Sequence, residues 1–219
     1  MIGLAITGFS DSVYTRAVRL ALIEKGLAHE YHELNPFTDE GRAALMGIHP
    51  FGRVPVLQHY AFRLYETTAI LGYLDDAFDG PELFPQGAKA RARVLQVISI
   101  VDAYGYWPLV RQVFSHALYR PAMGEGRDEA QITAGLAASV PVLDALEEIA
   151  EGGLVLNGRD ITRADCMLAP MIDCFCAVPD GQTLLGRRPA LTHWFDAVCG
   201  RESFAQTRPA VLTRKENTP

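Results

Sequence analysis

The pattern of hydrophobic and polar positions changes near residue 80 of this chain. Before that point, short apolar runs typical of buried strands alternate with segments whose apolar residues recur at helical spacing. After it, only the helical spacing is convincing, and a segment containing proline and glycine separates the two regions. We therefore predict an α/β domain over residues 1–80, a linker over residues 81–88 and an all-helical domain over residues 89–219.

The individual elements follow from the same pattern. In the first region we predict strands over residues 2–7, 30–34, 56–58 and 62–65, and helices over residues 15–25, 38–46 and 67–78. In the second region we predict helices over residues 89–119, 127–150, 162–178 and 189–200, with a kink at Pro108. The polar tail, residues 213–219, is expected to fray.

Composition and charge narrow the class of protein. The chain has 219 residues, of which 49% are hydrophobic and 21% charged, as in an ordinary globular protein. Its 20 basic and 26 acidic residues give a net charge of −6, which argues against a protein that binds nucleic acid through its phosphates. The chain shows neither a signal peptide nor a run of about 18 apolar residues, so we expect a soluble, cytoplasmic protein without a membrane partner.

Cysteine and histidine residues do not form a pattern typical of a disulfide framework or a metal site. The chain has 4 cysteines, and Cys174 and Cys176 point in divergent directions on one predicted helix. His29 and His32 lie three residues apart in a predicted strand, so they face opposite sides of it. We expect no metal ion, and we expect the cysteines to act as small apolar side chains.

Two serines, Ser10 and Ser12, precede the first predicted helix. A serine in that place normally caps the helix. The same place also suits an anion, because the first turn of a helix presents free N–H groups and a partial positive charge. A serine hydroxyl there is able to donate to a thiolate, so each serine is a candidate for either role.

A proline stands at the start of a predicted strand, where it cannot donate a hydrogen bond to the sheet. This residue, Pro55, fits an edge strand or a tight trans turn. It also fits a cis Val54–Pro55 bond, which would turn the N–H and C=O of Val54 outward to pair with an extended peptide ligand.

Two threonines are predicted to cap helices. Thr67 lies beside Glu66, and together they suit an amino-acid ligand, with its carboxylate at the helix N-terminus and its ammonium at Glu66. Thr162 and Asp165 have the spacing of a capping box, so we assign both a structural role.

The chain resembles the cytosolic glutathione transferases in segments that occur in the order found in that family. These are the serine before the first helix, FGRVPVL at residues 51–57, YETTAIL at residues 65–71 and TRAD at residues 162–165. The resemblance covers essentially the whole chain and is greatest to the serine-type phi and zeta classes and their bacterial relatives. It implies a thioredoxin-like N-terminal domain, an all-α C-terminal domain and a two-fold homodimer, with Phe51 as a candidate dimer contact.

The resemblance also implies which residues bind glutathione. The matched positions are Arg53 and Arg42 toward the glycyl end, Val54 and the cis-proline position Pro55 at the cysteinyl backbone, and Glu66 and Thr67 at the γ-glutamyl end. Aligning the first helix with that of the family places Ser12 on the active serine, with Ser10 as the alternative. A serine cannot form a mixed disulfide with glutathione, so thiol-transferase activity is disfavoured.

The implied function is that of a glutathione transferase that activates the thiolate of its co-substrate for attack on a hydrophobic electrophile, in detoxification. A glutathione-dependent isomerase of the maleylacetoacetate type, a peroxidase and a non-catalytic binding module are the alternatives. The electrophile pocket is expected between the domains, and ordinary core packing is the alternative for each candidate. The candidates are Tyr14, Tyr104, Trp107, Arg111 and Phe114.

Overall fold

The first region folds as a mixed sheet with helices. The strands are β1 Leu4–Gly8, β2 Glu30–Glu33, β3 Val56–His59 and β4 Phe62–Tyr65, and the helices are α1 Val13–Glu24, α2 Asp39–Met46 and α3 Thr67–Ala77. The structure, a computed structural model, describes residues 3–213. The start of the first predicted strand and residues 214–219 of the predicted frayed tail therefore lie outside the described residues.

The sheet has the strand order β2-β1-β3-β4. Strand β1 runs parallel to β2 and antiparallel to β3, and β4 pairs antiparallel with β3. The predicted order of strands and helices in this region is confirmed. Apolar side chains of β1 and β3, including Ile6 and Leu57, are completely buried and belong to a hydrophobic core that continues into the helical region.

The second region is helical. Its elements are α4 Ala88–Ile100, two π-helical segments, π1 Val101–Gly105 and π2 Trp107–Tyr119, and then α5 Arg120–Ala122, α6 Glu129–Glu151, α7 Arg163–Cys176, α8 Pro179–Gly186, α9 Pro189–Cys199, α10 Glu202–Gln206 and α11 Ala210–Thr213. The predicted helix over residues 89–119 is present, but from Val101 it has π-helical hydrogen bonding, and Pro108 lies near the start of π2. The predicted helix over residues 162–178 ends early, because Val178 is the N-cap of α8, which the pattern did not predict.

Helix α6 packs closely along π2 because a glycine faces the contact. A Cβ atom at Gly135 would lie 2.7 Å from the Cβ atom of Gln112 and 3.0 Å from the carbonyl oxygen of Pro108. A larger residue at this position would therefore force α6 and π2 apart. Among the residues that the structure describes, no helix is both long enough and apolar enough to cross a membrane.

The start of α7 contains a capping box. The N–H of Thr162 donates to Asp165 Oδ2 at 2.7 Å, and the N–H of Ala164 donates to the Thr162 hydroxyl at 3.2 Å. The indole N–H of Trp194 donates to the other Asp165 oxygen at 2.6 Å. Burial raises the pKa of Asp165 on balance, while the hydrogen bonds from Thr162 and Trp194 lower it. The carboxylate therefore joins the start of α7 to α9 in the interior.

A buried ion pair joins α1 to α7. The guanidinium of Arg16 donates to Asp173 Oδ2 at 2.6 Å, and the Arg16 side chain has no exposed surface. Arg16 also donates to the carbonyl oxygen of Phe204 at 3.1 Å and lies 4.1 Å from the centroid of the Phe204 ring. The charge is thus paired, hydrogen-bonded and covered, as a buried cation requires.

Replacing Arg16 with methionine leaves Asp173 without its closest cation. We expect Arg16→Met to lower the free energy of unfolding by about 3–5 kcal/mol, the usual effect of breaking a buried ion pair. Urea denaturation followed by circular dichroism measures it. The matched control is Arg93→Met on the exposed surface of α4, which should change stability by less than about 0.5 kcal/mol. Equal losses in the two variants would contradict this interpretation.

Candidate functional site

The N-terminus of α1 carries the first part of the site. Ser12 is the N-cap of α1, and its hydroxyl oxygen accepts a hydrogen bond from the N–H of Thr15 at 3.3 Å. Because the oxygen uses a lone pair in this bond, the hydroxyl hydrogen remains able to donate to a ligand. The free N–H groups of the first helical turn and the partial positive charge of α1 face the same place.

Ser10 has a different environment from Ser12. Its N–H and its hydroxyl both donate to Glu33 Oε1, each at 3.0 Å. The hydroxyl hydrogen of Ser10 is therefore already used within the protein. The two serines therefore differ in whether that hydrogen is free for a ligand.

The segment before β3 carries the second part. The Val54–Pro55 peptide bond is cis, Pro55 is buried and Val54 is half-buried. Val56 pairs with Thr7 of β1, so continuing this antiparallel register places Val54 beside the loop that begins after β1. The backbone of Val54 and the N-terminus of α1 therefore lie at one edge of the sheet.

The start of α3 carries the third part. Tyr65 pairs with Val56 across β3 and β4, which brings Glu66 to the same edge of the sheet. Glu66 is exposed and has a φ angle of 70°, in the left-handed region that favours glycine. Such conformations cluster at ligand sites, because the surrounding structure must hold them.

The prediction that Thr67 caps α3 is wrong. Glu66 is the N-cap and has no side-chain capping bond, while Thr67 is the first helical residue and is buried. A left-handed residue between β4 and α3 turns the chain so that Glu66, rather than Thr67, occupies the cap position. The N-terminus of α3 still lies at the site.

The helical region contributes a carboxylate that sequence reasoning missed. Asp102 of π1 accepts hydrogen bonds from the Tyr14 hydroxyl at 3.1 Å and from the Thr68 hydroxyl at 3.5 Å. Burial raises the pKa of Asp102, these two donors lower it, and the nearby negative charge of Glu66 raises it further. The sequence signal that pointed to Asp102 was an acidic residue within an otherwise apolar helical segment.

Tyr14 links the two regions beside Asp102. The ring centroid of Tyr14 lies 5.0 Å from that of Tyr106. Burial is the largest cause that raises the pKa of Tyr14, and the charge and hydrogen bond of Asp102 raise it further. Tyr14 therefore stays protonated and donates to Asp102. This places Tyr14 at the contact between α1 and π1.

A chain of aromatic rings crosses from the α/β region to the helical region near the start of α1. The ring centroids of Phe9 and Phe37 lie 5.9 Å apart, those of Phe37 and Tyr119 6.3 Å, and those of Tyr119 and Phe114 6.3 Å. Phe37 is 66% exposed, whereas Phe114 is 3% exposed and belongs to the core. Sequence reasoning missed Phe37 and Tyr119, because the ring contacts join distant parts of the chain.

The other predicted residues lie nearer the surface. Tyr104 and Trp107 are 67% and 60% exposed, and Arg111 is exposed on π2. The charge of Arg111 lowers the pKa of Tyr119, although burial and nearby acidic groups raise it on balance.

The arginines predicted for the glycyl end are both exposed. Arg53 lies next to Val54, and its charge lowers the pKa values of Tyr14 and His49. Arg42 lies on α2. Within the described residues, no cluster of histidine, cysteine, aspartate and glutamate side chains is arranged to hold a metal ion.

The fold matches solved glutathione transferases. Glutathione transferase F7 from Populus trichocarpa superposes with a TM-score of 0.82 at 23% identity, covering 93% of this chain and 97% of that one. Glutathione S-transferase I bound with lactoylglutathione superposes with a TM-score of 0.79 at 23% identity, covering 94% and 98%. The chain thus has the glutathione transferase fold, as its sheet, its helical region and the convergence of α1, β3 and α3 indicate.

Sequence comparisons identify the family. Residues 6–82 match the family model described as "Glutathione S-transferase, N-terminal domain". A glutathione S-transferase of Pseudomonas putida is 30% identical over 179 residues, covering 80% of this chain and 76% of that protein. Glutathione S-transferase F10 of Arabidopsis thaliana is 27% identical, covering 87% and 89%. The chain belongs to the glutathione S-transferase family.

A buried histidine supports the start of α3. The ring of His49 lies 4.6 Å from that of Tyr65, the residue before Glu66, and its Nδ1 accepts the N–H of Phe51 at 3.1 Å. Burial lowers the pKa of His49; the charge of Glu66 opposes this and that of Arg53 adds to it. The ring is therefore neutral in the folded protein at neutral pH.

This lowered pKa makes stability depend on pH. Below pH ~6.5 the unfolded chain protonates this histidine and the folded chain resists it, so the free energy of unfolding falls as the pH drops. We expect the stability difference between the wild type and His49→Asn to narrow at low pH, by at most about 1.4 kcal/mol per pH unit. Urea denaturation between neutral and mildly acidic pH measures it. A difference that does not change with pH would contradict the expectation.

Proposed function

We propose that this glutathione transferase activates the glutathione thiol through the hydroxyl of Ser12. The observation that carries the proposal is the different bonding of the two candidate serines. Ser10 gives its hydroxyl hydrogen to Glu33, whereas Ser12 accepts a bond from Thr15 and keeps its hydrogen for a ligand. Ser10 is the alternative donor, and this difference argues against it.

Activating the thiol requires a moderate amount of free energy. A free thiol has a pKa of about 8.5, and lowering it by about two units requires preferential stabilisation of the thiolate by ~2.7 kcal/mol. The Ser12 hydroxyl and the N-terminus of α1 supply hydrogen bonds and a favourable field. The thiol proton leaves to solvent, the sulfur forms a bond to the electrophilic carbon, and the leaving group departs with the electron pair of its bond.

The γ-glutamyl end of glutathione carries both an ammonium and a carboxylate. Glu66 and Asp102 supply negative charge from the two regions at the start of α3, which suits the ammonium. The N-terminus of α3 and the hydroxyl of Thr67 suit the carboxylate. This end of the peptide would be held between the α/β region and π1.

The rest of glutathione extends along the edge of the sheet. The backbone N–H and C=O of Val54 are placed to pair with the cysteinyl residue, next to the buried Pro55. Arg53 and Arg42 carry the exposed positive charges proposed for the glycyl carboxylate. Relatives named glutathione S-transferases support glutathione as the co-substrate.

The electrophile is proposed to bind between the two regions, beside the thiolate. The aromatic chain through Phe37 and Tyr119 provides an apolar wall next to the loop that carries Ser12. The charge of Arg111 lies near Tyr119, and the exposed rings of Tyr104 and Trp107 are further candidates for this wall. We propose Tyr14, Tyr104, Trp107, Arg111 and Phe114 as lining or supporting residues.

The alternative activities use the same glutathione site. An isomerase of the maleylacetoacetate type and a peroxidase are less favoured, since the matched relatives are named as transferases. A non-catalytic module is opposed by Ser12, Val54 and Glu66, which converge at one edge of the sheet.

We also propose the larger organisation that the resemblance implies. Residues 1–80 would bind glutathione, residues 81–88 would link the domains and residues 89–219 would supply the electrophile pocket. The gap between the end of α3 at Ala77 and the start of α4 at Ala88 supports this division. Phe51, at 67% exposure, is a candidate contact in a homodimer. Cytoplasmic detoxification is the role we propose.

Replacing Ser12 tests the proposal. We expect Ser12→Ala to lower kcat/KM near pH 6.5 by about tenfold or more, because about 1.4 kcal/mol of thiolate stabilisation corresponds to tenfold. The affinity for glutathione should change by less than about threefold, since this variant leaves the peptide contacts intact. Thiolate absorbance of bound glutathione, titrated against pH, measures the activation directly.

The controls separate activation from capping, because Ser12 also caps α1. Ser12→Thr keeps both the cap and the hydroxyl donor and should restore most of the activity. Asp128→Ala removes the cap of α6, where the side chain accepts from Gln131 N–H, without touching the site. An unchanged thiol pKa in Ser12→Ala would remove Ser12 from the proposed role.

The aromatic wall gives a second test. We expect Phe37→Ala to raise the KM for an apolar aromatic electrophile about fivefold, since an aromatic contact contributes ~1 kcal/mol. Steady-state kinetics at saturating glutathione measures it. Leu154→Ala, another exposed apolar residue outside the site, is the control. No change in the Phe37 variant would place the electrophile elsewhere.

A further inference from the structure

The carboxylate of Glu33 is held by three hydrogen bonds at the end of β2. The N–H and the hydroxyl of Ser10 donate to Oε1, each at 3.0 Å, and the hydroxyl of Tyr31 donates to Oε2 at 2.6 Å. Both carboxylate oxygens are therefore used. Oxygen Oε1 binds the loop between β1 and α1 at Ser10, which lies two residues before Ser12.

We propose that Glu33 is a positioning residue for thiol activation, which acts by fixing this loop so that Ser12 presents its hydroxyl to the glutathione sulfur. The inference rests on the proposed role of Ser12. Glu33 touches neither reacting atom in this scheme. Its effect passes through Ser10 to the backbone of the loop.

Two further hydrogen bonds of the loop backbone are local. The N–H of Ser12 donates to the carbonyl oxygen of Phe9 at 2.9 Å, and the N–H of Phe9 donates to the hydroxyl of Thr15 at 3.3 Å. These bonds hold the loop to itself and to α1. The bonds from Ser10 to Glu33 tie its middle to the neighbouring strand β2. Catalytic hydroxyls need such support, because displacements of about 1 Å are enough to lower rates strongly.

Glu33 is itself held in place. The guanidinium of Arg19 on α1 lies 4.8 Å from the centroid of the Tyr31 ring, and Tyr31 donates to Glu33. Burial and the bond to Glu33 raise the pKa of Tyr31, so its hydroxyl remains a donor. The resulting network runs from α1 through β2 and returns to the loop that begins α1.

Glu33 also settles which serine donates to the thiol. While Ser10 is bonded to Glu33, only Ser12 has a hydroxyl hydrogen free of the bonds found in this loop. Loss of the carboxylate would release Ser10 and loosen the segment that leads to Ser12.

The test compares Glu33→Ala with Glu33→Gln. We expect Glu33→Ala to raise the pKa of the bound glutathione thiol by about 0.5–1 unit, a three- to tenfold loss of thiolate at acidic pH. The fall should appear in kcat at pH 6.5, while KM for glutathione changes by less than about twofold. Glu33→Gln keeps an oxygen that accepts from Ser10, so it should restore most of this loss.

This pair of variants distinguishes positioning from direct electrostatics. If Glu33 acted through its negative charge on the thiolate, both variants would lower the thiol pKa. That outcome would overturn the proposal. An unchanged thiol pKa in folded Glu33→Ala would also overturn it.

Further variants keep the test decisive. Glu30→Ala removes an exposed carboxylate of the same strand, 3.6 Å from His32, and should leave the thiol pKa unchanged. Ser10→Ala retains the backbone bond to Glu33, so it should shift the thiol pKa in the same direction but by less, and it serves if Glu33→Ala fails to fold. The double variant tests whether Glu33 acts through Ser10. If Ser10→Ala raises the thiol pKa as much in the Glu33→Ala variant as in the wild type, the two residues act independently, which would contradict action through Ser10.

The result is separable from the role of Ser12. If Ser12→Ala leaves the thiol pKa unchanged, the proposed function fails whatever Glu33 does. If Ser12→Ala raises it and Glu33→Ala does not, only the inference about Glu33 fails.

Discussion

The buried ion pair between Arg16 and Asp173 holds the helix on which the site depends. The N–H of Arg16 donates to the carbonyl oxygen of Ser12 at 2.9 Å, so the arginine lies one helical turn after the cap. Its guanidinium is bonded to α7 in the interior, where an unpaired charge is strongly unfavourable. The N-terminus of α1 therefore cannot move relative to the helical region without breaking that pair.

Two further carboxylates orient the α/β region against the helices. Asp75 of α3 accepts from Lys25, the C-cap of α1, at 3.2 Å and from Arg163 of α7 at 2.9 Å. The N–H of Leu83 in the connecting segment also donates to Asp75 at 3.0 Å. Glu24, at the end of α1, pairs with Arg201 near the chain's last helices. Because hydrogen bonds to charged groups are directional, these contacts fix orientation as well as distance. Asp102 of π1 meets Tyr14 and Thr68 across the same contact between the two regions.

Much of the fold and part of the site could be predicted from local pattern. Strands, most helices, the capping box of Thr162 and the place of Pro55 follow from residue types at short spacing. The π-helical hydrogen bonding after Val101 and the short helices near the C-terminus were missed, because tertiary packing rather than local propensity decides such segments. Thr67 was misplaced as a cap, since the left-handed conformation of Glu66 has no sequence sign in a glutamate.

Patterns along the chain were enough to predict the family, an α/β region followed by a helical region, and the segments that we propose to bind glutathione. These features depend on residues close together in the chain, whose spacing is visible in one sequence. The different bonding of Ser10 and Ser12, which supports the proposed role of Ser12, appears only in the folded chain, because Glu33, the partner of Ser10, lies on another strand. The tertiary structure also brings Asp102, Phe37 and Tyr119 to the candidate site, since their contacts join residues far apart in the chain. Such pairings are set by how α1, the sheet and π2 pack, which no local pattern encodes.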